Sequence, residues 1–177
     1  MNERIRQCEP GADGLLFLPH LLGERAPRWN PGAKGVFFGI TATTSREQML
    51  RSVMEGIIMN LGICFDILRK ETPAKELRLI GGAARSSQWQ KGIADIFQVP
   101  VLVPKYLEEA NSIGAAVIAG VGSGVFRDFS AVDQFVTITN RVEPSVETKE
   151  VYDALKLQYD AVYKALEPIF TNYMENR

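Results

Sequence analysis

The chain is poor in the residues that announce metal, redox or disulfide chemistry. Among 177 residues there are two cysteines, Cys8 and Cys64, and a single histidine, His20. The cysteines stand far apart, without CxxC spacing or neighbouring histidines, which argues against a zinc site. Cys64 falls on the apolar face of a predicted helix and is expected as an inert buried thiol. This usage fits a reducing compartment. A lone histidine among apolar residues is more often a packed side chain than a base, so His20 carries little weight as a catalyst. Charge of one sign is also lacking, since the formal net charge is -1. Without a basic field or a run of Lys and Arg there is nothing to hold a nucleic-acid backbone or a membrane surface. Long hydrophobic runs are missing too. The densest, residues 115–121, is bounded or broken by Gly114, Gly120 and Gly122, well short of the ~20 apolar residues of a spanning helix. The opening M-N-E-R-I-R-Q-C-E-P has no apolar centre for a secretory signal. The expectation is a cytoplasmic protein without nucleic-acid or membrane partners.

What is present is an ordinary globular composition, 46% hydrophobic and 23% charged, enough for one large domain or a domain with an extension. A chain of this size buries roughly 70% of its unfolded surface. Residues 15–18 read as a buried strand closed by Pro19, and 35–40 as a second strand. The loop between them, 20–34, is marked as irregular by Gly23, Pro27, Pro31 and Gly32. Ser45 and Gln48 have capping-box spacing. Leu50, Val53, Met54, Ile57, Ile58, Leu61, Cys64 and Leu68 then recur at helical spacing until Pro73. Residues 101–103 and 136–139 read as further strands, and 111–121 as a short helix rich in Ala and Gly. A long amphipathic helix over 149–174 carries Tyr152, Leu155, Tyr159, Val162, Tyr163, Leu166 and Ile169 on its apolar face, with a kink expected at Pro168. The alternation of strands and helices argues for an α/β layer with parallel strands.

The most informative segment is L-R-L-I-G-G-A-A-R-S-S-Q-W-Q, residues 77–90. Its apolar run predicts a strand, and the Gly81–Gly82 doublet a tight turn. Ser87 and Gln90 predict the cap of a helix running to about Phe97. Gly81 and Gly82 permit backbone angles and close approach that a Cβ blocks, and a helix N-terminus suits phosphate or ribose oxygens. A plain strand-to-helix turn has the same pattern.

Several blocks together resemble a known family. Gly35-x-Phe37-x-Gly39-Ile40, seven residues, then Gln48-Met49-x-x-Ser52-Val53-Met54-Glu55 resembles the second signature of the FGGY carbohydrate kinases. F-L-P-H-L-L-G-E-R-A-P-R-W-N-P is similar to the block that precedes it, G-G-A-A-R-S-S-Q-W to the family's adenosine loop, and A-N-S-I-G-A-A-V-I-A-G-V-G-S-G-V-F to the alanine-rich helix beyond. These blocks run in family order through residues 14–127. The resemblance implies a ribonuclease H-like, actin-like ATPase fold, here the C-terminal domain, incomplete at its N-terminal end. It divides the chain into an extension (1–13), the partial kinase domain (14–174) and a frayed tail (175–177).

The resemblance also implies transfer of the ATP γ-phosphoryl group to a hydroxyl of a sugar or sugar acid, with ATP and Mg2+ as cofactors. E-R-A-P-R-W-N-P is nearer the gluconate type than the xylulose type, with glycerol less favoured. Gly81, Gly82, Ala83 and Ser86 are implied as adenosine and ribose-phosphate contacts. Glu24 and Arg25 are either a cleft-lining ion pair that touches substrate or a pair that fixes the loop. Trp29 either stacks on a ligand or anchors the loop. Glu108 and Glu109 are a magnesium site or, in preference, helix caps. The sequence does not show the partner of Glu55. No catalytic base is found, because the family's N-terminal domain and its aspartate have no counterpart in these residues. The expected partners are the sugar, that N-terminal domain and, as an open alternative, a second copy of the chain. A competing reading is a non-catalytic actin-like assembly or regulatory module. A related sugar-responsive repressor would carry a cysteine-rich zinc motif and a helix-turn-helix, and neither is read here.

Overall fold

The computed structural model describes residues 2–175. Ten regular elements follow in order: α1 (Asn2–Arg6), β1 (Leu16–Pro19), β2 (Gly35–Phe38), α2 (Arg46–Glu71), β3 (Leu77–Arg78), α3 (Ser87–Phe97), β4 (Val101–Pro104), α4 (Ala110–Gly122), β5 (Ile138–Val142) and α5 (Lys149–Glu175). Short 3₁₀ turns at Ala12–Gly14, Gly82–Arg85 and Phe129–Gln134 join them. The expected tail extends beyond Glu175 to Asn176 and Arg177, which lie outside the described residues.

α2 starts where its cap chemistry requires. The Ser45 Oγ accepts from the Gln48 backbone N–H at 3.1 Å, and the Gln48 side chain accepts from the Ser45 N–H at 2.7 Å. Two of the orphan donors of a helix start are thus satisfied reciprocally. The helix ends at Glu71, two residues before Pro73. It lies directly on β1: a Cβ on Gly56 would sit 2.0 Å from the Phe17 carbonyl oxygen, so only glycine lets helix and strand approach this closely.

β1 and β2 pair antiparallel, Leu16 opposite Phe38 and Pro19 opposite Gly35. A second sheet has the order β3-β4-β5. β3 runs parallel to β4, as a strand–helix–strand unit requires, whereas β5 is antiparallel to β4. The expectation of parallel strands therefore holds for one pair only. The reason lies in the connection after α4, which brings the chain back beside the end of β4, where the Lys105 N–H donates to the Thr137 carbonyl at 2.8 Å. A strand leaving that point runs back along its neighbour. It consequently begins at Ile138, two residues later than its sequence indicated.

The core joins Leu16 and Leu18 of β1, Ile58 of α2, Ile93 and Ile96 of α3, Val101 of β4 and Tyr152, Tyr159 and Tyr163 of α5. Ile5 of the leading segment is fully buried among them. On α5 the buried face ends on Phe170, while Ile169 is 60% exposed. The 4-3-4 spacing Tyr159, Tyr163, Leu166, Phe170 turns Ile169 outward. Cys8 and Cys64 are free and only half-buried, so Cys64 is less enclosed than its helical position implied. Among the described residues no helix is long and apolar enough to cross a membrane.

Candidate nucleotide site

The segment after β3 forms the turn its glycines allow. Gly81 takes φ 76° and ψ −163°, a conformation that disfavours a side chain. Gly82 opens the 3₁₀ turn. Both glycines are exposed, and a Cβ built on either meets nothing within 4 Å. α3 is capped by Ser86, not Ser87: the Ser86 Oγ accepts from the Trp89 N–H at 3.5 Å. The other half of the expected cap, Gln90, is used differently. Its side-chain amide donates to the Ala84 carbonyl at 2.6 Å and accepts from the Asn140 side chain at 3.0 Å. Gln90 therefore ties the glycine turn to α3 and β5, and fixes the shape of the turn from below. With its Oγ already accepting from the helix, the Ser86 hydroxyl has its O–H left to give.

Gly82, Ala83 and Ser86 line one open concavity of about 490 Å³, together with Asn2, Arg85 and Trp89. Sequence reasoning missed the last three. Trp89 was legible as the third residue beyond a helix cap, hence near the turn, but Asn2 reaches the site only through tertiary packing of α1. Arg85 forms an ion pair with Glu108, which links the turn to the loop before α4. Glu109 stands at the N-cap of α4, but its side chain makes no capping bond, so the expectation of carboxylate caps there is corrected. Among the described residues no group of three or more His, Cys, Asp or Glu side chains is arranged to hold a metal ion.

Glu24 and Arg25 do not line this concavity, and they do not form a pair. Arg25 is exposed. The partner of Glu24 is Arg28, at 3.7 Å. Arg28 also donates to Asp160 of α5 at 2.9 Å and lies 3.9 Å from the centroid of the Tyr163 ring. His20 is packed edge-on against that ring, at 5.4 Å between centroids, and is 2% exposed. Burial, reinforced by the Arg28 charge, depresses its pKa from 6.5 to about 4. Burial raises the carboxyl of Glu24 above the usual range and lifts the Tyr163 phenol to about 12. The His20 Nε2 and the Tyr159 hydroxyl are buried without hydrogen-bond partners, while the Tyr163 hydroxyl faces the Glu24 carboxylate. Trp29, on the same loop, is 72% exposed and anchors nothing beneath it.

Comparison with known proteins identifies the family and the fold. The model of the FGGY family of carbohydrate kinases, C-terminal domain, matches residues 2–123. The gluconokinase of Bacillus licheniformis is 39% identical over 171 residues, spanning 96% of this chain and 33% of that protein. The ligand-bound xylulose kinase of Lactobacillus acidophilus superposes with a TM-score of 0.89 at 30% identity, over 97% of this chain and 35% of that one. Plasmodium falciparum glycerol kinase, solved with ADP, superposes with a TM-score of 0.77 at 26% identity, over 93% of this chain and 33% of that one. The chain thus spans about a third of the length of the relatives it matches. Its two short sheets and flanking helices are the C-terminal portion of their actin-like ATPase fold. By the family match over most of its length and by its superposition on these kinases, the chain belongs to the FGGY family of carbohydrate kinases.

Proposed function

We propose that this chain is the nucleotide-binding part of an ATP-dependent sugar kinase, acting on a sugar acid of the gluconate type in preference to xylulose. The observation that carries the reading is the open turn Gly81-Gly82-Ala83 between β3 and α3, with Ser86 and Trp89 on its helix side. The space is suited to an adenosine group. Both glycines leave their faces free, Trp89 supplies an apolar surface for a flat base, and the Ser86 hydroxyl and the start of α3 supply donors for ribose or phosphate oxygens. ATP, held there, supplies the transferable phosphoryl group. The side chains described here contribute position and hydrogen bonds.

Mg2+ would be held by the nucleotide phosphates and by residues of the N-terminal domain. Phosphoryl transfer depends on positioning and on charge stabilisation around the phosphates. The proposed arrangement therefore needs the family's N-terminal domain as partner, to bind the sugar and supply the base, in a cytoplasmic enzyme. The gluconate preference rests on the 39% identity to a gluconokinase and on the loop from Glu24 to Pro31.

Two measurements test this. Calorimetric titration of the chain with ATP and ADP is expected to show weak binding. A coupled ADP-release assay with gluconate, xylulose and glycerol is expected to show no turnover by the chain alone. Absence of any nucleotide binding by the folded chain sinks the first expectation, and sugar-dependent turnover sinks the second.

A further inference from the structure

The loop between β1 and β2 is built inside out. Two of its charged residues are tucked against the domain, Glu24 at 4% exposure and Arg28 held by Asp160 and by the face of Tyr163, while Arg25 is exposed. Its large apolar residues face solvent, Leu21 at 71%, Leu22 at 100% and Trp29 at 72% exposure. Single exposed apolar residues are ordinary on a protein surface, but three on one short loop that buries its carboxylate are not.

The loop is also closed and tight. Pro19 and Gly35 pair at its ends. The Glu24 N–H donates to the Asn30 carbonyl at 2.8 Å. A Cβ on Gly23 would lie 2.8 Å from the Pro31 carbonyl oxygen, so the two arms touch. Trp29 is held at φ 52°, in the left-handed region that a bulky side chain rarely enters. Strain of this kind persists only where the surroundings impose it, and it gathers at working surfaces.

We propose that Leu21, Leu22 and Trp29 form a docking surface for the kinase polypeptide that lies upstream of this domain in the family. The inference rests on the kinase reading above. The occupant is argued from length and chemistry. The family model that matches residues 2–123 is that of a C-terminal domain, and the whole chain spans only 33% and 35% of the gluconokinase and xylulose kinase it resembles, which leaves roughly two thirds of each polypeptide to be accommodated. Three apolar side chains on a rigid support offer an aromatic anchor of the kind that dominates protein interfaces. Apart from the Trp29 indole N–H, their side chains provide no hydrogen-bonding groups for a polyol.

The test uses fluorescence. With Trp89→Phe, Trp29 becomes the single tryptophan of the chain. The upstream two thirds of the Bacillus licheniformis gluconokinase is added as a separate polypeptide. The expected result is a complex in which Trp29 emission moves to shorter wavelength and acrylamide quenching falls several-fold. Leu22→Asp, at a fully exposed position, is expected to weaken that complex at least tenfold without changing the circular dichroism of the chain. The proposal is overturned if two folded polypeptides do not associate, or if they associate with Trp29 equally quenched and Leu22→Asp without effect. Protection of Trp29 in the chain alone, growing with its concentration, also overturns it, because a second copy is then the occupant. If the upstream piece does not fold alone, this chain replaces the last third of that gluconokinase in one polypeptide. Leu22→Asp is then expected to lower its unfolding midpoint, and an unchanged midpoint overturns the proposal. Nucleotide titration of the chain without any partner reports separately on the kinase reading.

Discussion

Tyr152 and Glu55 stand 97 residues apart in sequence and meet at 2.7 Å, the phenol donating to the carboxylate Oε1. The same oxygen accepts from the Arg51 Nε at 2.7 Å and from the Gly11 N–H at 3.1 Å. Arg51 in turn donates through Nη1 to the carbonyls of Ile5 and Cys8. Leading segment, α2 and α5 are thus joined through one buried carboxylate. Burial raises the pKa of the Glu55 carboxyl despite these partners, and Arg51 is its charged partner. Removal of either Arg51 or Glu55 therefore leaves a buried charge unpaired, whereas removal of the Tyr152 hydroxyl takes away one hydrogen bond. Glu55→Ala is expected to cost about 3–5 kcal/mol, and Tyr152→Phe about 1–2 kcal/mol, in urea unfolding. A loss below about 0.5 kcal/mol for Glu55→Ala would show that the network is not what holds α1 to the domain.

A second stability expectation concerns Gly56. Its missing side chain lets α2 touch the backbone of β1, and a methyl group would lie 2.0 Å from the Phe17 carbonyl oxygen. Gly→Ala in a helix ordinarily stabilises by about 0.5–1 kcal/mol. Here the helix must move off the strand, so Gly56→Ala is expected to destabilise by at least about 1–3 kcal/mol. Gly114→Ala, with nothing within 4 Å of the added carbon, is expected to be neutral or stabilising. Thermal unfolding of the two variants side by side gives the answer, and equal midpoints refute the close-contact argument.

These contrasts show what the sequence made legible. The capping box of α2, the ends of α3 and the exposed glycine turn follow from local rules, since Ser45, Gln48, Gly81 and Gly82 act on residues within a few positions of themselves. The Gln90 bonds, the Glu24–Arg28 pair and the partners of Glu55 join residues distant in the chain or offset by a loop's turn. Periodicity and spacing carry no information about such pairings. β5 was misplaced for a related reason: its direction is set by where the 123–137 connection re-enters the sheet. Asn2 escaped notice because a short polar segment has no pattern until it is packed against α2 and α3.

His20 provides a pH test. Its pKa falls from 6.5 to about 4 on folding, through burial and the nearby Arg28 charge. Between those values the unfolded chain binds a proton that the folded chain refuses. Stability from this residue is therefore complete above about pH 6.5 and is lost as pH falls toward 4, by on the order of 3 kcal/mol. Glu24 works in the opposite sense, because its raised carboxyl favours the folded state below its folded pKa. Tyr159, Tyr163, Arg28, Asp160 and Glu167 also face this cluster. Asp160, held below the usual carboxylate range chiefly by its bond to Lys164, loses stability in the same sense as His20 toward the acid end of that window. His20→Phe is expected to flatten the decline in stability from pH 6.5 to 4. Parallel slopes for variant and parent would place the acid sensitivity elsewhere.

The glycine turn gives the sharpest test of function. Gly82 is exposed, its backbone does not need the left-handed region, and a Cβ there meets nothing within 4 Å. Gly82→Val is thus expected to fold with a stability within about 0.5 kcal/mol of the parent. If the concavity that Gly82 shares with Ala83, Ser86 and Trp89 holds adenosine, the branched side chain occupies the space of the ligand and ATP binding falls at least tenfold. Gly81→Val serves as a contrast. At φ 76° it strains the backbone, so it is expected to lose stability as well as binding. Calorimetric titration and urea unfolding of both variants separate the two effects. Unchanged ATP affinity in a folded Gly82→Val protein would reduce the segment to a connection between β3 and α3.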